Sequence, residues 1–492
     1  MAIEIEDKFD VPAEYQLPDL TGLPGSAEVV GPKTHQLVAL YFDTPDLRLA
    51  ARGITLRRRR GGTDPGWHLK LPKAKGVRQE ITHPLTRSAK IVPPELADLV
   101  LAYTRGAPLA PIAELDTRRA VTTVVNGAGV GLVEIADDRV KGTVFGGEPH
   151  VERWREVEAE LLQGDEKLLR KVGRRLGKAG ATPADSASKL ARLLGGAGAV
   201  SEHPRAETVP GSAGEVVVGY LTSQAGALLA QDPRVRKAEE DAVHQMRVAA
   251  RRLRSALKSF RTVVEGTENL QEELKWLGTV LGEARDLEVI RERFARGLDD
   301  LDDALIVGPV RARLSSDLLD DEHEALDRIR DTLGGERYFA LLDALDDLTG
   351  TPVLTKAAKK PADTLDVVAA KSWRRVTRAY DIAQAIENES EREIAMHDVR
   401  KAAKRARYTA EVLGMSKLAK RAEAVQEVLG THLDGVVAQE RLAAEAANAR
   451  LVGEDTFTYG VLTGVERAGA ARAWKEFPGV WEETTAAIAK LL

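Results

Sequence analysis

The chain has 492 residues, of which 43% are hydrophobic and 30% are charged, and its formal net charge is -5. This length exceeds what one hydrophobic core serves, so the sequence predicts about two to four domains. Cysteine is absent, which excludes disulfides and thiolate sites and leaves oxygen or imidazole as metal ligands. No apolar run of about 18 residues occurs and the N-terminus is acidic, so we expect no membrane span and a cytoplasmic protein.

Two kinds of sequence follow each other along the chain. Residues 1–195 begin with short alternating segments separated by Gly, Pro and Asp, which predict antiparallel strands and hairpins, and end in two short helices. Residues 196–214 are rich in Gly, Ala and Pro and predict a linker. Residues 215–492 have apolar residues at helical spacing and predict an all-helical domain. A second break divides this domain into halves of about 215–355 and 363–492.

Charged residues recur with a period of two in the predicted strands, which places them on one face. Two triplets have this arrangement: Glu4, Glu6 and Lys8 in "EIEDKFD", and Glu156, Glu158 and Glu160 in "WREVEAEL". A one-sided sheet with ion pairs on its wet face would explain the alternation. The density of like charges within single strands instead favours a barrel whose lumen holds divalent metal and polyanionic phosphate.

The same segments carry a family resemblance. "EIEDK" fits an ExExK signature, and "YFDT", "LRRR", "HLKLP", "RQE", "DTRR", "REVEAEL" and "SKLAR" follow in order over roughly the first 195 residues. In these motifs the chain resembles the CYTH family, the triphosphate tunnel metalloenzymes. The resemblance implies an eight-stranded antiparallel barrel with flanking helices, in which glutamates hold Mg²⁺ or Mn²⁺ and basic residues hold a triphosphate.

The resemblance also implies roles for individual side chains. The expected metal ligands are Glu4, Glu6, Glu156, Glu158 and Glu160, and the expected catalytic residues are Glu4, Glu6 and Lys8. The expected triphosphate-binding residues are Lys8, Arg57, Arg59, Lys70, Arg78, Arg118, Arg119 and Lys189. Either Arg118 or Arg119 could face the tunnel, because a one-residue slip of register reverses the face.

The implied reaction is metal-dependent hydrolysis of inorganic triphosphate, a short-chain polyphosphate. Family relatives include adenylate cyclases and thiamine triphosphatases, but an aromatic content of 4% favours an inorganic substrate over one with a base. The alternative is a non-catalytic protein that binds or senses polyphosphate and has a vestigial barrel.

The helical part contains an internal repeat. "HQMRVAARRLRSAL" begins at His244 and "HDVRKAAKRARYTA" begins at His397, and in both copies bases follow the histidine at three, seven and ten residues. These offsets fall within an arc of about 80° on a helix, so each copy predicts one basic face. A single basic face is commonly only solvated. Two copies in the same phase favour an anionic ligand.

This repeat resembles the CHAD domain, over about residues 215–492. The resemblance implies two pseudo-symmetric four-helix bundles with a basic channel that binds long-chain inorganic polyphosphate, and it extends the expected location to polyphosphate granules. The expected binding residues are His244, Arg247, Arg251, Arg254, His397, Arg400, Lys404 and Arg407, with Arg374 and Arg378 as bases that could widen the face. Nucleic acid is a weaker alternative partner, because the basic faces contain few aromatic residues for base stacking. The sequence thus predicts an α+β multidomain protein.

Overall fold

The computed structural model describes residues 2–74, 77–146, 150–186, 188–196 and 206–491. The chain divides into two compact units, Met1–His203 and Pro204–Leu492. Within the described ranges no helix is both long and apolar enough to cross a lipid bilayer. Each unit is built from one type of element: the first mainly from strands and the second from helices.

The first unit is a closed antiparallel barrel. Its strands are β1 (Ala2–Asp10), β2 (Glu28–Asp43), β3 (Thr55–Arg60), β4 (Gly66–Ala74), β5 (Val77–His83), β6 (Ala110–Val125), β7 (Gly131–Val144) and β8 (His150–Leu161). They follow the order β5-β4-β3-β2-β6-β7-β8-β1, and β1 also pairs with β5, which closes the sheet. A two-residue strand, β9 (Thr182–Pro183), pairs with the end of β1. The predicted eight-stranded barrel is confirmed.

Four α-helices accompany the barrel within the described residues of the first unit. They are α1 (Pro94–Leu99), α2 (Leu101–Thr104), α3 (Glu166–Lys178) and α4 (Lys189–Gly196). Helix α3 begins where the Asp165 side chain accepts a hydrogen bond from the Leu168 amide, an N-cap that satisfies an otherwise unpaired donor. Its apolar face packs on outward-facing residues such as Phe9 and Val157. Helix α4 instead packs on residues of the inner face, among them Leu115 and Val140.

The second unit contains nine α-helices within the described residues. They are α5 (Ala213–Arg236), α6 (Ala242–Ser259), α7 (Glu268–Asp299), α8 (Val310–Leu333), α9 (Glu336–Gly350), α10 (Asp366–Gln384), α11 (Glu389–Val412), α12 (Ser416–Leu451) and α13 (Phe457–Ile488). Helices α5 to α8 and α10 to α13 form two bundles in which successive helices pack together, and α9 adds a ninth helix to the first. The predicted pair of helical bundles is confirmed.

A buried ion pair joins three helices of the first bundle. The Nε atom of Arg236 donates to Asp232 one turn earlier on α5, at 2.6 Å, and its Nη2 atom donates to the carbonyl oxygen of Leu333 at 2.7 Å. The Tyr338 hydroxyl on α9 donates to the other Asp232 oxygen at 3.0 Å. Asp232 is fully buried, so these donors replace the water that its charge has lost.

The two bundles meet where α6 contacts α11, the helices that carry the two copies of the sequence repeat. The Ser259 and Thr409 hydroxyl oxygens lie 3.1 Å apart across this contact, and Arg252 on α6 forms an ion pair with Glu411 on α11 at 2.9 Å. The fold therefore brings together two segments that lie about 150 residues apart in the sequence.

Candidate functional site

Strand alternation places one set of charged residues of the first unit on the inner face of the barrel. In the β1–β8 pairing Glu6 lies opposite Glu160 and Lys8 lies opposite Glu158. All four border a central cavity of about 460 Å³. The lysines and arginines around this cavity are Lys8, Lys33, Arg57, Arg59, Lys70, Arg78, Arg119 and Lys189. Cations and carboxylates thus share one enclosed space.

Three buried carboxylates converge on a single ammonium group. The Nζ atom of Lys189 on α4 lies 2.9 Å from Asp138 and 2.6 Å from Glu156. It also lies 2.7 Å from Glu158. Burial raises the pKa of Asp138 and Glu158, but the attraction of Lys189, together with other cations, outweighs this effect and leaves both pKa values below their ordinary range. Asp138 and Glu158 are therefore ionised.

Arg119 is the second cation of this cluster. Its guanidinium donates to both oxygens of Asp138, at 2.8 and 2.6 Å, and to Glu158 at 2.6 Å. Burial lowers the pKa of Arg119, but the attraction of the two carboxylates raises it by a larger amount, so that its pKa lies well above the ordinary value. The Lys8 ammonium contacts Glu158 as well, and it donates to Glu6 at 3.0 Å.

The carboxylate cluster fits a divalent metal ion. One oxygen each of Asp138, Glu156 and Glu158 lies within 4.8 Å of the others. Carboxylate oxygens are the ligands that Mg²⁺ and Mn²⁺ prefer. The Lys189 ammonium already lies among these oxygens, which shows that the position suits positive charge. Two predicted ligands, Glu156 and Glu158, belong to this cluster, and Asp138 is an addition to them.

Glu6 on β1 and Glu160 on β8 lie opposite each other and also border the cavity. Besides its contact with Lys8, Glu6 lies 4.0 Å from the Nη1 atom of Arg78. Glu4 lies in β1, where its Cα partner is also Arg78, but its side chain lies outside the described part of the structure. Glu156 and Glu158 therefore lie around Lys189, and Lys8 links Glu158 to Glu6.

Strands β3, β4 and β5 supply further cations. Arg57 lies 3.5 Å from the Tyr41 hydroxyl, and Arg59 forms an ion pair with Asp64. Burial and the neighbouring charge of Arg57 lower the pKa of Arg59 to about 10, which still leaves it protonated at neutral pH. Lys70 lies 3.6 Å from Glu80. These side chains form a cationic wall that sequence reasoning had placed correctly on one face of each strand.

A buried histidine that was not predicted holds Glu80 in place. The Nδ1 atom of His68 lies 2.9 Å from Glu80, and its Nε2 atom lies 3.1 Å from the carbonyl oxygen of Asp64. His68 is in phase with Lys70 in "HLK", so the alternation that identified the lysine also indicated the histidine. Asp138 likewise shares the inner phase of Glu134 in "VEIADD", and its cross-strand partner is Glu156.

The structure separates the two arginines of "DTRR". Arg119 borders the central cavity, whereas Arg118 is exposed and borders a cleft on the outer wall. The pairings Arg119 with Asp138 and Arg118 with Arg139 place them on opposite faces. The expectation that Arg118 binds triphosphate in the tunnel is therefore wrong, because alternate residues of a strand point to opposite sides of the sheet.

The second unit has its own cationic pocket where α6 meets α11. It has a volume of about 170 Å³ and is bordered by Arg251, Arg254, Ser255, Lys258, Lys401, Lys404, Arg405 and Tyr408. The Nε atoms of Arg251 and Arg400 are buried and donate to no acceptor in the described part of the chain. Buried donors of this kind are normally satisfied, so the pocket has spare capacity for an anion.

Each copy of the repeat holds one arginine in the same way. Arg247 lies 3.0 Å from Asp286 on the next helix, and Arg400 lies 3.9 Å from Asp434. Both guanidinium groups lie against a glycine four residues before the aspartate. A Cβ atom at Gly282 would lie 3.4 Å from Arg247, and one at Gly430 would lie 3.1 Å from Arg400. The duplication therefore preserves a positioned arginine as well as a basic face.

The basic residues of this pocket repel one another. Burial and the nearby Arg251, Arg400 and Arg247 lower the pKa of Lys404 to about 8, against the opposite effect of Asp434. The pKa of Lys258 is lowered by Arg405 and then by burial. Such mutual repulsion is relieved when an anion binds.

Several predicted residues of the second unit lie apart from this pocket. Arg407 forms ion pairs with Glu411, one turn later on α11, at 3.0 Å and with Glu423 on α12 at 2.8 Å. Both carboxylates lie on the side of α11 that carries Arg407. Arg374 and Arg378 are exposed on α10, and it is Arg375 on that helix whose charge lowers the pKa of Lys258 and Arg405.

The two histidines that begin the repeats differ in their surroundings. His397 is exposed, whereas His244 is partly buried. Burial and the nearby Arg285 lower the pKa of His244, so this side chain is uncharged at neutral pH. The histidines therefore share a position in the sequence but not an environment.

The two units also correspond to known domains. A family model described as the CYTH domain matches residues 2–194, and one described as the CHAD domain matches residues 219–443. Two uncharacterized proteins of Mycobacterium tuberculosis are each 38% identical to this chain over an alignment of 503 residues, which covers 99% of this chain and 97% of theirs. The solved structure of PptA from Streptomyces chartreusis is 23% identical and covers 55% of this chain and 99% of its own, with a TM-score of 0.48. By its two matched domains and its full-length relatives, this chain belongs to the family of proteins in which a CYTH domain is followed by a CHAD domain.

Proposed function

We propose that the first unit hydrolyses inorganic triphosphate with Mg²⁺ or Mn²⁺ and that the second unit binds linear inorganic polyphosphate. The observation that carries the first part is the composition of the central cavity, whose described wall joins eight lysines and arginines to carboxylates that include Glu158 of the buried cluster. Short polyphosphates need both, since cations hold the phosphate oxygens while carboxylates hold the metal that neutralises the remaining charge.

The lining of the cavity favours an inorganic substrate. Tyr41 is its one phenol or indole side chain among the described residues, and Tyr41 is only 4% exposed, with its hydroxyl directed at Arg57. A nucleotide base would need an open aromatic face or a set of edge donors and acceptors. The cavity instead offers charged groups on several strands, which match phosphate oxygens along a chain.

The chain's own residues would bind and orient the substrate. Arg57, Arg59 and Lys70 would hold phosphate oxygens by charge-assisted hydrogen bonds, and Arg119 would be fixed for the same purpose by Asp138. Asp138, Glu156 and Glu158, with Glu4 and Glu6 as implied by the family resemblance, would hold the metal. A divalent metal at such a site withdraws charge from the phosphate and lowers the pKa of water.

Phosphate release from inorganic triphosphate tests this proposal. We expect release that requires Mg²⁺ or Mn²⁺ and that falls by about a hundredfold or more in Glu4→Gln plus Glu6→Gln, because metal ligands lose their charge. Glu114→Gln, on the outward phase of β6, is the matched control and should keep its activity. A well-folded natural protein that releases no phosphate with either metal would favour the alternative, a non-catalytic polyphosphate sensor.

Polyphosphate binding by the second unit rests on the pocket between α6 and α11. We expect Arg251→Ala plus Lys404→Ala to weaken the binding of long-chain polyphosphate by about tenfold or more, since each charge-assisted contact is worth roughly 1.5–3 kcal/mol. Lys417→Ala plus Lys420→Ala removes the same charge from exposed positions on α12 and should have little effect. Equal losses in both double variants would mean that only net charge matters.

A further inference from the structure

The outer wall of the barrel carries a second cluster of cations, distinct from the tunnel. It borders a cleft of about 630 Å³. The cations of this outer cleft are Arg118, Arg139, Lys141, Arg153, Arg155 and Arg192, and its two carboxylates are Asp10 and Asp116. Arg118 thus belongs to a group of outward-facing bases on β6, β7 and β8.

The pairing of these strands places like charges directly opposite one another. Arg118 lies opposite Arg139, and Arg139 lies opposite Arg155 on the next strand. In the adjacent row Lys141 lies opposite Arg153 on β8 and opposite Asp116 on β6. Side chains in such positions are about 5 Å apart at Cβ, and like charges there destabilise a sheet. If these residues only kept the sheet soluble, cross-strand pairs of opposite charge would be more stable than pairs of like charge.

Three acidic groups nearby already pair with arginines, and a fourth, Asp116, accepts a hydrogen bond from a neutral amide. Arg155 forms a two-point ion pair with Asp137, at 2.9 and 2.7 Å. Arg192 pairs with Glu152 at 3.1 Å and with Asp10. The Asp116 carboxylate accepts a hydrogen bond from Gln36.

The remaining cations are left without such partners. Arg118, Arg139, Lys141 and Arg153 are exposed, and none of these four has a hydrogen-bond or ion-pair partner within the described ranges. Four unpaired cations therefore stand in two adjacent rows on three strands.

The cleft offers charge without a surface for base stacking. Trp154 borders it, but this indole is only 8% exposed, and the guanidinium of Arg192 lies over its ring at 5.1 Å. Proteins that bind single-stranded nucleic acid combine cations with open aromatic faces. The outer cleft has the first feature and lacks the second among its bordering residues.

We propose that the outer cleft is an additional binding site for linear inorganic polyphosphate, which holds a stretch of the chain on the outside of the barrel through Arg118, Arg139, Lys141 and Arg153. The identity of this ligand rests on the proposed function, because polyphosphate is the polyanion assigned to the other two sites. Regularly spaced cations on neighbouring strands suit a chain of regularly spaced phosphates, and arginine forks match phosphate oxygens.

Chemical footprinting of the full-length natural protein tests the site directly. An arginine-specific dicarbonyl reagent is applied without divalent metal, with and without long-chain polyphosphate, and modified peptides are quantified by mass spectrometry. At a polyphosphate concentration about ten times the Kd of the outer cleft, modification of Arg118, Arg139 and Arg153 should slow by roughly tenfold. The reason is that only protein with an empty cleft reacts. Arg87, an exposed arginine of the same unit outside the cleft, should change little.

A charge-removal variant gives a second readout. The variant is Arg118→Gln plus Arg139→Gln plus Arg153→Gln. The plot of log affinity for polyphosphate against log salt concentration should become less steep, with a slope smaller in magnitude by roughly 2, since each lost phosphate contact contributes about 0.7. These side chains are exposed, so the fold should persist, and triphosphate hydrolysis should be unchanged. The matched control removes three other exposed cations of this unit: Arg60→Gln, Arg87→Gln and Lys90→Gln.

Each outcome decides between hypotheses. Unprotected outer arginines in a protein that still hydrolyses triphosphate would overturn the outer site and leave the proposed function intact. Protection of these arginines without any triphosphate hydrolysis would support the outer site and refute the catalytic proposal. Stronger protection by an oligodeoxythymidine of equal phosphate number would assign the cleft to nucleic acid and overturn the proposed ligand.

Discussion

We expect polyphosphate binding by the second unit to weaken as the pH rises from 7 to 9, because Lys404 loses its proton in this range. Its pKa is lowered to about 8 by burial and by Arg251, Arg400 and Arg247, with Asp434 acting in the opposite direction. His244 does not contribute over this interval, because its pKa is lowered below its ordinary value and it is uncharged throughout.

The magnitude follows from the protonated fraction. With a pKa of about 8, Lys404 is about 90% protonated at pH 7 and about 10% protonated at pH 9. If only the charged form binds phosphate, the apparent affinity scales with this fraction and falls by up to about tenfold. The sign is fixed by linkage: a bound polyanion raises the pKa of the lysine, so binding takes up a proton and is favoured at lower pH.

Titration of labelled polyphosphate at constant ionic strength and a series of pH values measures this effect. In Lys404→Arg the decline between pH 7 and 9 should largely disappear, because a guanidinium stays charged. Lys401→Arg is the matched control: Lys401 borders the same pocket from an exposed position and pairs with Asp398, so the decline should persist. An unchanged decline in Lys404→Arg would refute the assignment to this lysine.

Further predictions concern the positioned arginines and the buried ion pair. Gly282→Ala plus Gly430→Ala should weaken polyphosphate binding severalfold while the helices gain up to about 1 kcal/mol each in intrinsic stability, since the new methyl groups displace the guanidinium groups. Gly278→Ala is the control, because a Cβ atom at this position has open space around it, and this variant should bind polyphosphate normally. Normal polyphosphate binding by the double variant would refute the role of the two glycines in positioning Arg247 and Arg400. Asp232→Ala should lower the free energy of unfolding by about 3–5 kcal/mol in urea titrations, because Arg236 stays buried without its counter-ion; a loss below about 1 kcal/mol would contradict this.

The sequence predicted the positions of side chains best where charged residues recur at the regular spacing of a strand or a helix. Alternation predicted that Glu6 and Lys8 share one face of a strand, and helical phase predicted that Arg247 and Arg251 share one face of a helix. Both inferences depend only on the geometry of a single element, and the residues within it are neighbours in the sequence. The family motifs then added the number of strands and their closure into a barrel.

Register and tertiary contacts were harder to predict. Arg118 and Arg119 exchange roles with a shift of one residue, and no local signal in "DTRR" distinguishes them. Arg407 had the right helical phase but pairs with carboxylates, and Glu411 at i+4 was a signal that could have indicated this. The effect of the Arg375 charge on Lys258 and Arg405 depends on how α10 packs, which a sequence pattern does not specify.

Closure of the barrel has a consequence for the order of folding. β1 pairs with β5 and β8, and the contact of Lys8 with Glu158 spans 150 residues. The ammonium group that neutralises the β7 and β8 carboxylates comes from Lys189, later still. β1 can pair with β5 once residue 83 is made, but a ribosome must make nearly the whole first unit before β1 finds its second partner, β8, and the acidic wall loses its repulsion. Such non-local pairing slows folding, and the open edges of β1 and β8 are sites where a chaperone would be useful during synthesis.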